Sequence, residues 1–283
     1  MAGLDTPASG GEFQRADCAP RTTLGDGKIT VTDWVQAGRY AAGLDPITAV
    51  GGPTVPAPGA PAALHGVPAP GGTVRTLQVS SATAVQGVAI TLTVSMQSLG
   101  NENAVSFSLA FDPTAFKYSS ISLGSAATGA LLDVNTNQLA TGKVGLALSL
   151  PIGNSFAAGL CEIAKINLVP AAIASGNYSA TIEDQPVPRG ISDPSANELS
   201  AGYLLGTITV KGLPQLIITP SGTNVILAWP VWAQDFTLQG CDGSAFSTGA
   251  WTDVHATLQT NGDSISAPVG ISGKAQFFRL QHP

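Results

Sequence analysis

Three carboxylates and a glycine turn stand close together near the start of the chain. In ADCAPRTTLGDGKITVTDWVQAGRYAAGLDP, Asp17, Asp26 and Asp33 supply the acids, Gly27 the turn, and Lys28 a backbone carbonyl just after it. A hard cation needs several oxygens at about 2.3–2.6 Å, so a calcium loop sets acids at alternate positions, a glycine at its sharp bend, one carbonyl, and an acid on the incoming helix. With Gly27 as the bend, Asp26 is the preceding ligand, Lys28 offers its carbonyl, Ile29 is the apolar bridge and Asp33 is the helix acid. The front half is irregular. Regular spacing would put ligands at Thr22 and Leu24, and leucine cannot bind a cation, so Asp17 becomes the first ligand through a loop expanded across residues 18–21. The metal-free alternative is a plain Asp-Gly turn between strands.

The residues after Gly27 set up a helix. Apolar positions at Val31, Trp34, Val35, Gly38, Ala41 and Leu44 follow helical spacing. Thr30 and Asp33 form the threonine-then-acid pair that caps a helix start, and Gly43 and Pro46 suit its end. The helix predicted here carries Trp34, Gln36, Arg39 and Tyr40 within seven residues. Trp, Tyr and Arg are the side chains most often found anchoring interfaces, so these four are the expected contact residues. The internal alternative is that Trp34 packs on Ile29 and Leu44, or that the segment folds onto its own chain.

GDGKITVTDWVQAGRYAAGLD resembles one calcium-loop-and-helix half of a dockerin, the small module that plugs into cohesin domains of secreted bacterial assemblies. Dockerins carry two such halves; only one is evident, because GLDTPASGGEFQRAD before it holds no second loop. The resemblance implies calcium as the bound cofactor.

Composition frames the rest. The 283 residues include only 11% charged side chains, with 33 glycines and 20 prolines. That is the pattern of secreted β-structure rich in turns. A net charge of −6 with twelve Lys and Arg argues against nucleic acid, whose binding rests on neutralising phosphates. No apolar run is long enough to span a membrane, and no basic-then-apolar leader opens the chain, so export would imply a leader removed or lying outside it. Cys18, Cys161 and Cys241 are an odd set; Cys18 and Cys241 lie in turn-rich stretches and are the expected disulfide pair, within or between subunits.

Residues 46–73 hold seven prolines and no charge. They read as a linker with a reach on the order of 80 Å when extended, or as a strap lying along its own subunit. From residue 74 to 211 the period changes to two. Val88, Ile90, Leu92, Val94 and Met96 alternate with small and polar residues, as do Val105, Phe107, Leu109 and Phe111. With KVGLALSL, EIAKINLV, NYSATIED and AGYLLGTITV they predict about nine strands in a two-sheet sandwich or jelly roll. The order of these strands and turns resembles a cohesin domain or its carbohydrate-binding relatives. The stretch has no Trp and few aromatics free to stack on sugar, so a polysaccharide is the weaker expected ligand. Residues 212–283 give five or six short strands, with Trp229 and Trp251 available for a core, and resemble a fibronectin type III module.

The expected fold is therefore mainly β: a cohesin-like sandwich and a small fibronectin III-like sandwich behind an N-terminal α segment of residues 1–45. Catalytic signatures are missing: there is no G-x-S-x-G, H-E-x-x-H, C-x-x-C or phosphate loop, and His65, His255 and His282 are scattered. Glu183 as half of a glycosidase pair, and a second cation site among Asp184, Asp193 and Glu198, are lesser readings. The expected protein is a non-enzymatic, extracellular or cell-surface structural protein of bacterial type. It would associate head-to-tail with copies of itself into filaments or tubes, through calcium-dependent contacts. The alternatives are an adaptor to other secreted scaffold proteins, or a carbohydrate-binding surface module.

Overall fold

The structure is a computed structural model that describes residues 10–57, 74–172, 174–243, 250–271 and 275–282. The chain divides into two compact units, residues 1–212 and 213–283. The mainly β, sandwich architecture expected from the strand pattern is what the chain adopts.

The first unit begins with two helices, α1 (Gly10–Ala16) and α2 (Val31–Ala41). The capping box forms as the residue types dictate: Thr30 Oγ accepts from Thr32 N, and the Asp33 carboxylate accepts from Thr30 N at 2.8 Å. Such caps contribute about 1 kcal/mol. The helix ends at Ala42 and turns out through Gly43 at φ +69°. It ends one turn before Leu44, and no strand forms at Ile29. Residues 46–57 do not extend away as a tether. They run back over the N-terminal α segment, hereafter the head, where Arg21 Nη2 donates to Pro46 O, Gly10 N to Thr54 O, Gln14 Nε2 to Gly52 O, and Ala57 N to Gly27 O. The remaining linker, residues 58–73, lies outside the described residues.

Twelve strands follow among the described residues of this unit. One sheet has the order β11 (Gly202–Leu204), β1 (Thr76–Val79), β3 (Ile90–Ser98), β8 (Gly159–Pro170), β5 (Phe116–Leu123). The other runs β2 (Ala82–Val85), β12 (Gly206–Lys211), β9 (Gly176–Glu183), β4 (Ala104–Ala110), β7 (Lys143–Ser149), β6 (Leu131–Asn135), with β10 (Gly190–Ser192) also paired to β4. Alternation fixes the register: Leu92, Val94 and Met96 of β3 meet Val105, Phe107 and Leu109 of β4 in one buried core. AGYLLGTITV, which reads as a single strand, splits in two. β11 pairs parallel with β1 in one sheet and β12 with β2 in the other, so the chain changes sheets between Leu204 and Gly206.

Strand β4 is buried on both faces. Ser108 Oγ donates to Val187 O and accepts from Val187 N, and Ser106 Oγ donates to Pro188 O, so residues 184–189 cover its outer side. That excursion leaves β9 and returns as β10; Arg189 forks onto Asp184 at 2.7 and 2.8 Å, and its guanidinium lies over the Tyr203 ring.

In the second unit, β13 (Ile217–Ser221), β14 (Asn224–Pro230), β18 (Ser264–Gly270) and β17 (Gln259–Asn261) form one sheet in that order. β16 (Thr252–Asp253), β15 (Thr237–Asp242) and β19 (Gln276–Gln281) form another. Gly222 and Gly262, both at positive φ, open the two-residue hairpin turns. Trp229 is core, as its position suggested. Trp251 is not; it is half-buried with the Arg279 guanidinium 4.4 Å from its ring centroid.

Candidate functional site

The loop around Gly27 is closed by its own acids. Asp17 is fully buried and accepts from Asp26 N at 3.0 Å and Gly27 N at 2.7 Å, which brings it to the turn it was expected to serve. Asp33 is also buried. One of its oxygens accepts from Cys18 N and Ala19 N, each at 2.8 Å, and the other from Thr30 N. The two carboxylates thus pin opposite ends of the expanded loop. Close packing requires Gly25, which sits at φ +111° where a Cβ would fall 2.6 Å from Asp17 Cγ.

Neither acid has an ion-pair partner among the described residues. Burial raises the Asp17 carboxyl above its ordinary value and pushes Asp33 up to about 7, against the opposing pull of its three N–H donors. The other two expected ligands lie differently. Asp26 is exposed, with its side chain accepting from Lys28 N, and Lys28 is exposed too. The residues therefore fit a cation in part. Two buried acids face one loop, the third turns to solvent, and no group of three His, Cys, Asp or Glu is assembled among the described residues.

Within the single chain all three thiols are free, so the expected Cys18–Cys241 pair does not form inside it. Cys18 donates to Asp33 O and Cys161 to Ala157 O, while Cys241 is buried in the second unit. Burial and the nearby acids push the Cys18 thiol up to about 12, so it stays protonated.

The four expected contact residues lie on α2, and α2 is seated on the sandwich of its own chain. Val31 and Val35 are buried with Ala104 of β4 and with Ala196, and Trp34 packs against that cluster. Arg39 forks onto Asp45 at 2.7 and 3.0 Å and reaches across to donate to Pro194 O at 2.8 Å. Gln36 is buried and donates to Asp45, and Tyr40 bonds Thr48 at 3.1 Å. So Trp34 and Arg39 touch the sandwich, whereas Gln36 and Tyr40 hold the head together. Leu44, the residue expected to pack on Trp34 within the segment, is 54% exposed.

The receiving surface is built by residues that the sequence patterns did not single out. Glu102 is fully buried and accepts from Arg75 Nε at 2.5 Å, Ser98 Oγ, Leu99 N and Gly100 N. Burial alone would raise its carboxyl, but these donors outweigh that and hold it at about 2. Next to it, Asn103 donates to the carbonyls of Leu150 and Asn154 through its side-chain amide, and its N–H donates to Ser192 O. This network fixes β10 and the 150–154 turn on either side of Ala104. Its only trace in the sequence is NEN in a turn. The acids of the lesser readings have local roles: Glu183 pairs with Lys143, Asp184 with Arg189, and Asp193 accepts from Ser195 N and Asn197 N.

Residues 75–210 match the family model of the Cohesin domain. Among solved structures, the chain is similar to a non-cellulosomal cohesin from Archaeoglobus fulgidus, at 15% identity over 49% of this chain and 92% of that one, with a TM-score of 0.42. It is also similar to the sixth cohesin of Acetivibrio cellulolyticus scaffoldin B, solved with a Cel5 dockerin, at 18% identity over 49% and 100% of the chains and a TM-score of 0.44. A third is the seventh ScaB type I cohesin of Pseudobacteroides cellulosolvens, at 17% identity over 52% and 99% of the chains, also with a TM-score of 0.44. No curated protein matches the chain. No helix among the described residues is long and apolar enough to cross a membrane.

Proposed function

We propose that the protein is a non-enzymatic, exported assembly module in which a dockerin-like head is the ligand of a cohesin-like sandwich. The observation that carries this reading is the seat of α2: Val31, Val35 and Trp34 lie on Ala104 and Ala196, and Arg39 is bonded to Pro194 O. Seated on its own sandwich, the head gives a closed monomer. Residues 58–73 give the connection from Ala57 to Val74 a reach of at most about 60 Å, so the same contact can be exchanged with a neighbour. Such an exchange is heterologous and propagates head-to-tail into rings or filaments.

Calcium belongs to this reading, with Asp17, Asp26, Asp33 and the Lys28 carbonyl as ligands. Support comes from two buried acids in one loop with no basic partner among the described residues, a costly arrangement that a divalent cation would relieve. Asp26 would have to turn inward. The test is sedimentation of the intact chain across a concentration series, with calcium and with chelator. Growth of the particle with concentration, suppressed in Arg39→Ala, is expected. A strictly monomeric particle at every concentration leaves the closed form or an adaptor to other scaffold proteins as the function.

A further inference from the structure

Fourteen of the described glycines sit at positive φ, where a side chain is strained. Two at the head–sandwich contact do not. Gly38 lies inside α2, where glycine costs about 1 kcal/mol relative to alanine, and Gly190 begins β10. Each faces a branched apolar side chain of the opposite partner. A Cβ at Gly190 would stand 3.3 Å from Val31 Cγ1 of the head and 3.3 Å from Ser106 Oγ of its own sandwich, and one at Gly38 would stand 3.4 Å from Ile152 Cδ1 of the sandwich. The sockets are reciprocal: the sandwich supplies a glycine for a head valine, and the head supplies a glycine for a sandwich isoleucine.

We infer that Gly38 with Ile152, and Gly190 with Val31, are the specificity determinants of the contact, so that the surface over β4 and β10 selects this chain's own head, from the same or a second copy, and rejects helices bulky at the position of Gly38. This rests on the head–sandwich reading above. Backbone conformation does not demand glycine at either position; what keeps them small is the close approach of helix and sheet, joined at Gly190 by Ser106 Oγ of the sandwich. Arg39 and Pro194 O set that distance from one end, and Val35 on Ala104 and Ala196 sets it from the middle. A partner helix with alanine at position 38 would meet Ile152, which is 43% exposed, at ordinary contact distance; one with leucine would be held off.

The test is a set of compensating substitutions in the full chain, read by hydrogen exchange of the α2 amides, with β8 amides reporting that the sandwich stays folded. Gly38→Leu should speed α2 exchange by about ten- to a hundredfold, the range expected from overpacking a closed contact. Adding Ile152→Ala should bring the rate back to within a few-fold of the natural chain, while adding Val31→Ala instead should not. Gly190→Ala, relieved in part by Val31→Ala, with Ser106 Oγ still beside it, and not at all by Ile152→Ala, is the reciprocal pair and places the change outside the helix. Unchanged exchange in Gly38→Leu, or rescue equal from either partner, overturns the pairing. A photo-crosslinking residue at Trp34 separates this from failure of the underlying reading. Crosslinks to residues 104 and 190–196 without paired rescue overturn the sockets alone; no such crosslinks in the natural background overturn both.

Discussion

Arg39 Nη1 donates to Pro194 O over 2.8 Å, across 155 residues of chain, while Nε and Nη2 of the same guanidinium hold Asp45 within the head. One side chain therefore finishes the fold of the head and fastens it to the sandwich. Arg39→Lys keeps the charge but loses the fork. We expect Arg39→Lys and Arg39→Ala both to speed α2 amide exchange by about tenfold or more, as the loss of a charge-assisted hydrogen bond implies. Exchange equal to that of the natural chain would show that the bond to Pro194 contributes nothing to seating the head.

The Arg75–Glu102 pair predicts an acid limit for the sandwich. The Glu102 carboxyl titrates at about 2 when folded, below the unfolded value of about 4.3. Its stabilisation is therefore complete above the unfolded value and is lost as pH falls from there through about 2. Glu102→Gln should flatten that part of the melting curve against pH. It should also lower stability at neutral pH by about 3 kcal/mol, because the buried Arg75 loses its counter-charge and keeps only the neutral acceptors Ser200 O and Asn101 Oδ1. A variant that melts like the natural chain at pH 7 would contradict this.

Asp33 predicts the opposite slope in the head. Its folded carboxyl stands at about 7, above the unfolded value of about 3.9. Stability from this group is full below the unfolded value and is lost as pH rises through about 7. In chelator, α2 should be less protected at pH 8 than at pH 5.5, and millimolar calcium should restore it at pH 8. Identical protection with calcium and with chelator at pH 8 would remove calcium from the account.

Gly25 tests the loop itself. Alanine there meets both a disfavoured φ of +111° and the Asp17 carboxylate. Gly25→Ala should disorder residues 17–30, seen as rapid proteolysis in that stretch with the β8 amides still protected. Alanine at Gly129, also at positive φ but with no atom near its Cβ, should be milder. Equal resistance in the two variants would mean that the Asp17 contact does not organise the loop.

The sandwich was legible in the sequence because burial on one face leaves a period-two trace, as in Leu92, Val94 and Met96. The α2 start was legible because Thr30 and Asp33 act within one turn of chain. Asp17 was found only by elimination, yet it does reach the Asp26–Gly27 turn. Other features depend on partners far away in the chain. Ser106 and Ser108 look solvent-facing until residues 187 and 188 cover them, and Glu102 looks like a turn acid until Arg75 arrives from 27 residues upstream. The same limit hid the seat of α2, since Ala104, Gly190 and Ala196 carry no pattern of their own. Residues 46–57 look like free tether because proline and glycine suit both extension and a strap; only their carbonyls, taken by Gly10, Gln14 and Arg21, tell the two apart.

The central claim is that this head and this sandwich are ligand and receptor, able to join within a copy or between copies. Equal amounts of unlabelled and nitrogen-15-labelled full-length chain, each with a photo-crosslinking residue at Trp34, can be mixed at high concentration with calcium and irradiated. The account predicts head-to-sandwich crosslinks at residues 104 and 190–196, with a share of mixed isotope composition that grows with concentration. Crosslinks that stay isotopically pure at every concentration, or that never reach those residues, would contradict it.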